Sequence, residues 1–320
     1  MHHRTSRPLP VLAAAVAAAG LGALAWASLV ERRMFTLRRV DVPVLPAGAE
    51  PIRVLHLSDL HMAPWQRDKQ AWVRSLAEEK PDLIVNTGDN LGHIEGIPGI
   101  ERAFAAFGGI PGVYVNGSND YYGPIAKNWL RYFAGPSRPG RGVTRSRNLD
   151  TPRLERFFTQ SLGWVSLNNR VDSLTIRGTR LNVFGVDDPH IGLDRLDLLT
   201  GLLDGQRDAE TLDEAYSGPE IQLGVAHAPY VRVLNSFVTH GADLILAGHT
   251  HGGQVCIPGY GALVTNCDIP REKVRGLSLW RHAFRSAFLN VSAGLGTSIY
   301  APVRFACRPE ATLLTLTPRA

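Results

Sequence analysis

The chain begins with a long apolar block and then falls into short alternating runs. Residues 9–30 are 22 positions without a charge, rich in Ala, Leu, Val and Gly. As a helix such a block covers ~30 Å, the thickness of a bilayer's hydrocarbon core. It is apolar on every face, which argues against a helix packed on a soluble domain. Arg4 and Arg7 precede it, Arg32, Arg33, Arg38 and Arg39 follow it, and Trp26 sits near its end. An indole there suits a membrane interface. Two readings stand: a single-pass anchor, or a cleaved signal peptide with the small-residue run Ala23-Leu24-Ala25. Arginines lie on both sides, so the side on which the body sits stays open. Residues 40–51 carry three prolines and predict an extended tether or edge segment.

From residue 52 onward, β-rich runs alternate with helical periods. Strands are predicted at 52–57, 83–85, 112–115, 164–167, 174–177, 181–186, 221–226, 243–247, 288–292 and 311–316. Helices are predicted near 67–80, 99–107, 152–161, 194–204 and 230–239. That alternation indicates an α/β domain. The chain therefore divides into a short basic N-terminus (1–8), the apolar segment (9–30), a tether (31–50) and one domain (51–318). Polar clusters follow strand after strand: Asp59/His61, Asp89, Asn119, His227 and His249/His251. In α/β sheets, ligands collect at the carboxyl ends of strands, so these clusters are expected to converge in one crevice.

Composition narrows the classes. With 44% hydrophobic and 20% charged residues, the chain is no disordered protein. Three cysteines without a C-x-x-C spacing argue against a disulfide framework or a cysteine zinc site. The net charge of +5 is local: six arginines face three acids in residues 1–50, and eight basic residues face two acidic ones in 127–156. The remainder is net negative, so a nucleic-acid face is not expected.

The candidate chemistry is metal chemistry. Asp59 and His61 are two residues apart, as are His249 and His251; in extended backbone such pairs point the same way. Aspartate, histidine and amide without thiolate suit Mn²⁺, iron or Zn²⁺ completed by water. Seven candidates (Asp59, His61, Asp89, Asn119, His227, His249, His251) are too many for one ion. Two divalent ions ~3.5–4 Å apart, sharing a carboxylate, fit better and serve phosphoryl chemistry.

Here the sequence resembles the calcineurin-like metallophosphoesterases, whose ordered motifs are D-x-H, G-D, G-N-H-[DE], an isolated H and G-H-x-H. The corresponding blocks are Asp59/His61, Gly88-Asp89, Gly117-Ser118-Asn119-Asp120, His227 and Gly248-His249-Thr250-His251. Within the superfamily it looks most like the membrane-associated bacterial phosphodiesterase branch of YkuE type. Residues 290–296 and 304–310 are of that branch's tail type. The resemblance implies a four-layer αββα sandwich with two mixed sheets. It implies one metal on Asp59, His61 and His251, a second on His227 and His249, and Asp89 bridging. It groups Asp89, Asn119 and Asp120 as the catalytic set.

The third block departs from the family pattern. In register, Ser118 stands at the amide-ligand position and Asn119 at that of the histidine that protonates the leaving group. A slip of one residue would put Asn119 on the second metal. In neither register is a histidine there, a loss of general acid help typically worth ~10²–10⁴-fold. His93, four residues past Asp89, is a candidate substitute. Lys127 and Arg131, in the basic segment, are candidates for phosphate or lipid-headgroup contact. His56 reads as structural, and 187–190 (Asp-Asp-Pro-His) as a turn at the crevice.

The expected protein is thus a membrane-anchored, two-metal phosphoesterase using a metal-activated hydroxide. Its substrate would be a phosphodiester or pyrophosphate, of a lipid or envelope precursor. The alternative is a membrane-attached metal-binding or regulatory module with little turnover.

Overall fold

The computed structural model describes residues 8–124, 148–212, 216 and 218–319. Helix α1 (Pro8–Ala25) runs on through a π turn (Trp26–Val30) and a 3₁₀ turn (Glu31–Arg33). The span Leu12–Arg33 has a mean hydropathy of 1.9 and is only 6% buried, so it is long and apolar enough to cross a membrane. A signal sequence would have the same length and composition.

The body holds two six-stranded sheets. The first comprises β1 (Thr36–Leu45), β2 (Ile52–Leu57), β3 (Leu83–Asn86), β4 (Gly112–Tyr114), β5 (Val165–Ser166) and β14 (Glu310–Pro318), in the order β1-β14-β2-β3-β4-β5. The second comprises β6 (Arg170–Ile176), β7 (Thr179–Gly185), β8 (Glu220–Ala226), β9 (Leu244–Ala247), β12 (Gly276–His282) and β13 (Arg285–Val291), in the order β12-β13-β9-β8-β7-β6. A small hairpin, β10 (Cys256–Ile257) with β11 (Gly261–Ala262), stands apart. Both large sheets are mixed. β2, β3, β4 and β5 are parallel neighbours, as are β7, β8, β9 and β13, while β14–β2, β6–β7 and β12–β13 are antiparallel.

Side-chain alternation sorts the core into three layers. Val54, Val85 and Val113 face Val183, Leu223, Val225 and Leu246 between the sheets. Their neighbours Leu55, Ile84 and Tyr114 face outward beneath α2 (Arg67–Ser75), α3 (Ile97–Phe104) and α5 (Thr151–Arg156). Phe184, Ile245 and Leu289 do the same under α6 (Leu196–Leu212) and α7 (Val231–Thr239). The last helix, α4 (Ser118–Tyr121), is a single turn at the site. The result is the four-layer αββα sandwich with two mixed sheets. Strands covered on both faces read as continuous apolar runs, which is why most were legible.

The proline segment is an edge strand. β1 pairs in parallel with β14, and the register shifts between Pro43 and Leu45, where the ring removes a ladder donor. Strand β12 was not anticipated; among its seven residues only Gly276 and Trp280 are buried, so its sequence lacks a core signal. Helix α6 extends beyond the predicted 204 to Leu212, and β6 begins at Arg170 rather than 174.

Phe237 of α7 lies flush on Gly224 of β8, where an added Cβ would stand 2.5 Å from its Cδ2. Gly224→Ala should therefore overpack this layer and cost about 1–3 kcal/mol, read as a lowered urea midpoint at unchanged slope.

Candidate metal centre

Six turns converge at the ends of parallel strands: 58–61 after β2, 87–90 after β3, 116–120 after β4, 187–190 after β7, 227 after β8 and 248–251 after β9. Their backbone is strained. Asp59, His61, Asp89, His249 and His251 have φ of 48°, 40°, 54°, 68° and 51°. Non-glycine residues rarely take this left-handed region, and such outliers gather where a site over-determines them. The turns also approach closely: a Cβ on Gly248 would fall 1.9 Å from Ser58 Oγ and 2.6 Å from Asp59 Oδ2.

These turns bring the predicted ligands together. His61 Nε2 and His251 Nε2 are 3.2 Å apart, and His251 Nε2 is 3.6 Å from Asp59 Oδ1. Asp89 stands between two histidines, with Oδ2 3.5 Å from His61 Nε2 and Oδ1 3.5 Å from His227 Nε2. Two sets can each hold an ion, Asp59/His61/His251 and Asp59/Asp89/His227. His249 joins from the side, its ring edge-on to His227 at 5.1 Å.

Backbone carbonyls fix the imidazole tautomers. His227 Nδ1–H donates to Thr87 O at 2.7 Å, His251 Nδ1–H to Gly296 O at 3.2 Å, and His249 Nε2–H to Asn266 O at 3.1 Å. In the neutral ring the other nitrogen of each then offers its lone pair, the arrangement that metal-ligating histidines adopt. His227 Nε2 is buried and has no hydrogen-bond partner. The two facing nitrogens of His61 and His251 also need a cation or a proton between them. An orphaned nitrogen, an opposed pair and an all-O/N donor set fit a pair of divalent ions.

Burial governs the charges. It holds His61 down at about 4 and His249 and His251 well below the ordinary histidine range, so all three are neutral. Burial opposes the charged form of His227 too, but Asp89, Asp188 and Asp59 outweigh it and raise the group to about 9. Asp59 is raised to about 6, first by burial. Asp89 is lowered, because His227 and His61 overcome its burial.

The third block lies at the same centre. Asn119 N–H donates to Asp89 Oδ1 and its Nδ2 to Asp89 Oδ2, both at 2.7 Å. Ser118 Oγ accepts from the same amide at 3.4 Å. Asp120 differs from the expected catalytic role. It is fully buried, and its oxygens accept from Asn90 N–H (2.8 Å), Gly117 N–H (3.0 Å) and Asn90 Nδ2 (3.2 Å). It braces two turns and presents no oxygen to a substrate. His93 pairs edge-on with Trp65 at 5.0 Å, and its Nδ1 accepts from Glu95 N–H. Lys127 and Arg131 lie outside the described residues.

Sequence reasoning passed over several residues. Asp188 is fully buried, raised to about 7 by burial, and its charge acts on His227. The His190 ring lies 4.4 Å from that of His249, and its Nδ1 is 3.0 Å from Tyr230 Oη. Both follow β7 as the other clusters follow their strands, a signal obscured by the turn-like Asp-Pro. Arg304, fully buried, donates from Nη2 to Ala293 O and Gly296 O at 2.7 Å and lies 3.4 Å from His251 Nδ1.

The calcineurin-like phosphoesterase family model matches residues 52–253. The chain belongs to that family. It is similar to the uncharacterized metallophosphoesterase YkuE of Bacillus subtilis (strain 168), 25% identical over 317 residues, 95% of this chain and 93% of that protein. An uncharacterized metallophosphoesterase of Aquifex aeolicus (strain VF5) is 25% identical, over 87% of this chain and 89% of the other. The phosphodiesterase YaeI of Escherichia coli (strain K12) is 27% identical over 88% of each. This calcineurin-like chain is accordingly a metal-dependent phosphoric ester hydrolase, of a family that is dinuclear, with two residue groups that could hold an ion.

Metal loading of this phosphoesterase should release protons. With His227 raised to about 9, the metal-free protein carries its proton at neutral pH and must lose it to ligate. Apparent metal affinity should therefore rise from pH 6 to pH 8, by about tenfold per unit for one displaced proton. Calorimetry in buffers of different ionisation enthalpy measures that proton directly; a pH-independent affinity with no release would contradict it.

Proposed function

We propose that this chain is a membrane-anchored, two-metal phosphodiesterase acting on a phosphodiester or pyrophosphate of a lipid or envelope precursor. The observation that carries the reading is Asp89, held 3.5 Å from both His61 and His227 with the Asn119 amide on its oxygens. On this reading Asp59, His61 and His251 would hold one ion, His227 and His249 the other, and Asp89 would serve both. Mn²⁺, iron and Zn²⁺ all suit the donors. A bound pair supplies an acidified water and positive charge against the phosphoryl oxygens.

The chain's own residues do the rest. Thr87 O, Gly296 O and Asn266 O hold the rings at fixed tautomers, so little reorganisation is needed when charge develops. Asn119 is a neutral donor beside the bridge; it can orient an oxygen but has no proton to give a leaving alkoxide. That favours substrates whose leaving group is already acidic, as in pyrophosphates and activated diesters. The apolar span Leu12–Arg33 supports the anchor and a membrane-bound substrate.

The second reading, a membrane-attached metal-binding module, draws on the same Ser118-Asn119 departure. One experiment separates the two. The full chain, solubilised in detergent and loaded with Mn²⁺, should hydrolyse bis-p-nitrophenyl phosphate, and Asp89→Asn should lower kcat by about a hundredfold or more. Metal binding without turnover, on this diester and on a lipid diester, would select the module. In the enzyme, Asn119→His should widen the range toward alkyl leaving groups, by up to about a hundredfold.

A further inference from the structure

The foot of the apolar helix is wired to the metal centre. Ala27 and Glu31 are buried, 4% and 5% exposed, although the helix above them is bare. Ala27 O accepts from the Arg304 backbone N–H at 3.1 Å. Glu31 Oε1 accepts from Cys307 N–H at 2.7 Å and Oε2 from Trp26 Nε1–H at 3.1 Å. Arg304 then reaches Gly296 O and the His251 ring. A single arginine side chain therefore separates the helix foot from a predicted metal ligand.

The turns flanking that ligand carry bare apolar side chains. Trp65, four residues past His61, is 62% exposed, and Ile94, beside His93, is 41% exposed. Tyr300, 54% exposed, is four residues past Gly296, whose N–H donates to Asp59 O at 2.6 Å and where an added Cβ would stand 2.7 Å from His61 Cβ. Large apolar groups around a polar mouth are costly in water. Aromatic rings with a polar edge, and arginines such as Arg32 and Arg33 at the helix foot, are what a headgroup layer selects.

We propose that the mouth of the metal centre is seated on the bilayer surface, with Trp65, Ile94 and Tyr300 entering the interface, so that the phosphoester is presented by a membrane lipid. This rests on the anchored phosphodiesterase reading above. The occupant is the bilayer because the turn that carries Tyr300 also carries Arg304, which holds the foot of a helix of spanning length. Insertion leaves the reacting phosphorus at headgroup depth, where the substrate need not leave its membrane.

Two measurements test it on the full chain in phosphatidylethanolamine/phosphatidylglycerol nanodiscs. With headgroup-proximal doxyl lipid, Trp65→Phe should lose a quenched component of the tryptophan emission that the wild type has. With the p-nitrophenyl diester of phosphatidic acid in the disc, Trp65→Ser/Ile94→Ser should lower turnover about tenfold, while turnover of soluble bis-p-nitrophenyl phosphate is kept. Both substrates release the same leaving group, so the contrast reads presentation alone. Equal quenching in wild type and Trp65→Phe, or an equal fall on both substrates, would overturn the proposal. Absent turnover of the soluble diester would instead fail the phosphodiesterase reading, and the quenching result would still stand.

Discussion

Two carboxylates buried side by side set the terms for the rest of the structure. Asp59 is fully buried and Asp89 is 3% exposed, and the charge of Asp89 helps burial raise Asp59. Taking such groups out of water costs several kcal/mol apiece unless charge and hydrogen bonds answer them. Asp59 accepts from Ser58 Oγ at 2.6 Å and His249 N–H at 3.0 Å; Asp89 accepts from the backbone and side chain of Asn119. Supplying those donors from separate strands forces the turns inward, and the turns comply by taking left-handed backbone at five non-glycine residues. Strain of that kind, of order 1–3 kcal/mol per residue, persists only where rigid neighbours impose it. The parallel strands beneath, buried on both faces, are that rigid base.

The centre is completed from beyond the region that the family model matches, which ends at residue 253. Asn266 O orients His249, Gly296 O orients His251, and Arg304 gathers the carbonyls of residues 293–296 behind them. Lys69 adds a second buried cation, lowered to about 7 by burial, whose Nζ donates to Leu60 O at 2.7 Å between Asp59 and His61. The cations stay behind the ligands, on carbonyls, and none of these contacts competes for a carboxylate. That division leaves the oxygens of Asp59 and Asp89 facing the histidines.

What was legible in the sequence follows from what is local. Buried parallel strands announce themselves as apolar runs, and a polar cluster just past a strand end marks the crevice without knowledge of its neighbours. The convergence of Asp59, His61, Asp89, His227, His249 and His251 could be read that way. Arg304 could not: its burial depends on carbonyls from three turns, and in sequence it is an arginine in a loop. Glu31 is similar, an acid just past the apolar helix whose partners, Cys307 and Trp26, lie on different segments. Asp188 and His190 were hidden by a tripeptide that reads as an ordinary turn. The edge strand β12 was missed because half-exposed sequence carries little period.

The position of Asn119 bears on chemistry more than on stability. Its backbone and its amide both close on Asp89, so the short helix α4 is pinned at its N-terminal end by that carboxylate. Asp120 fixes the same turn from the other side through Asn90 and Gly117. The Asn119 side chain therefore faces Asp89, and an asparagine there can orient an oxygen but has no transferable proton. His190 does not replace it simply, since its Nδ1 is engaged with Tyr230 and its ring lies against His249. On the proposed reading, the enzyme keeps the electrostatic part of the family's catalysis and gives up the proton-donating part. A substrate with a leaving group stable as an anion is the one for which that loss matters least.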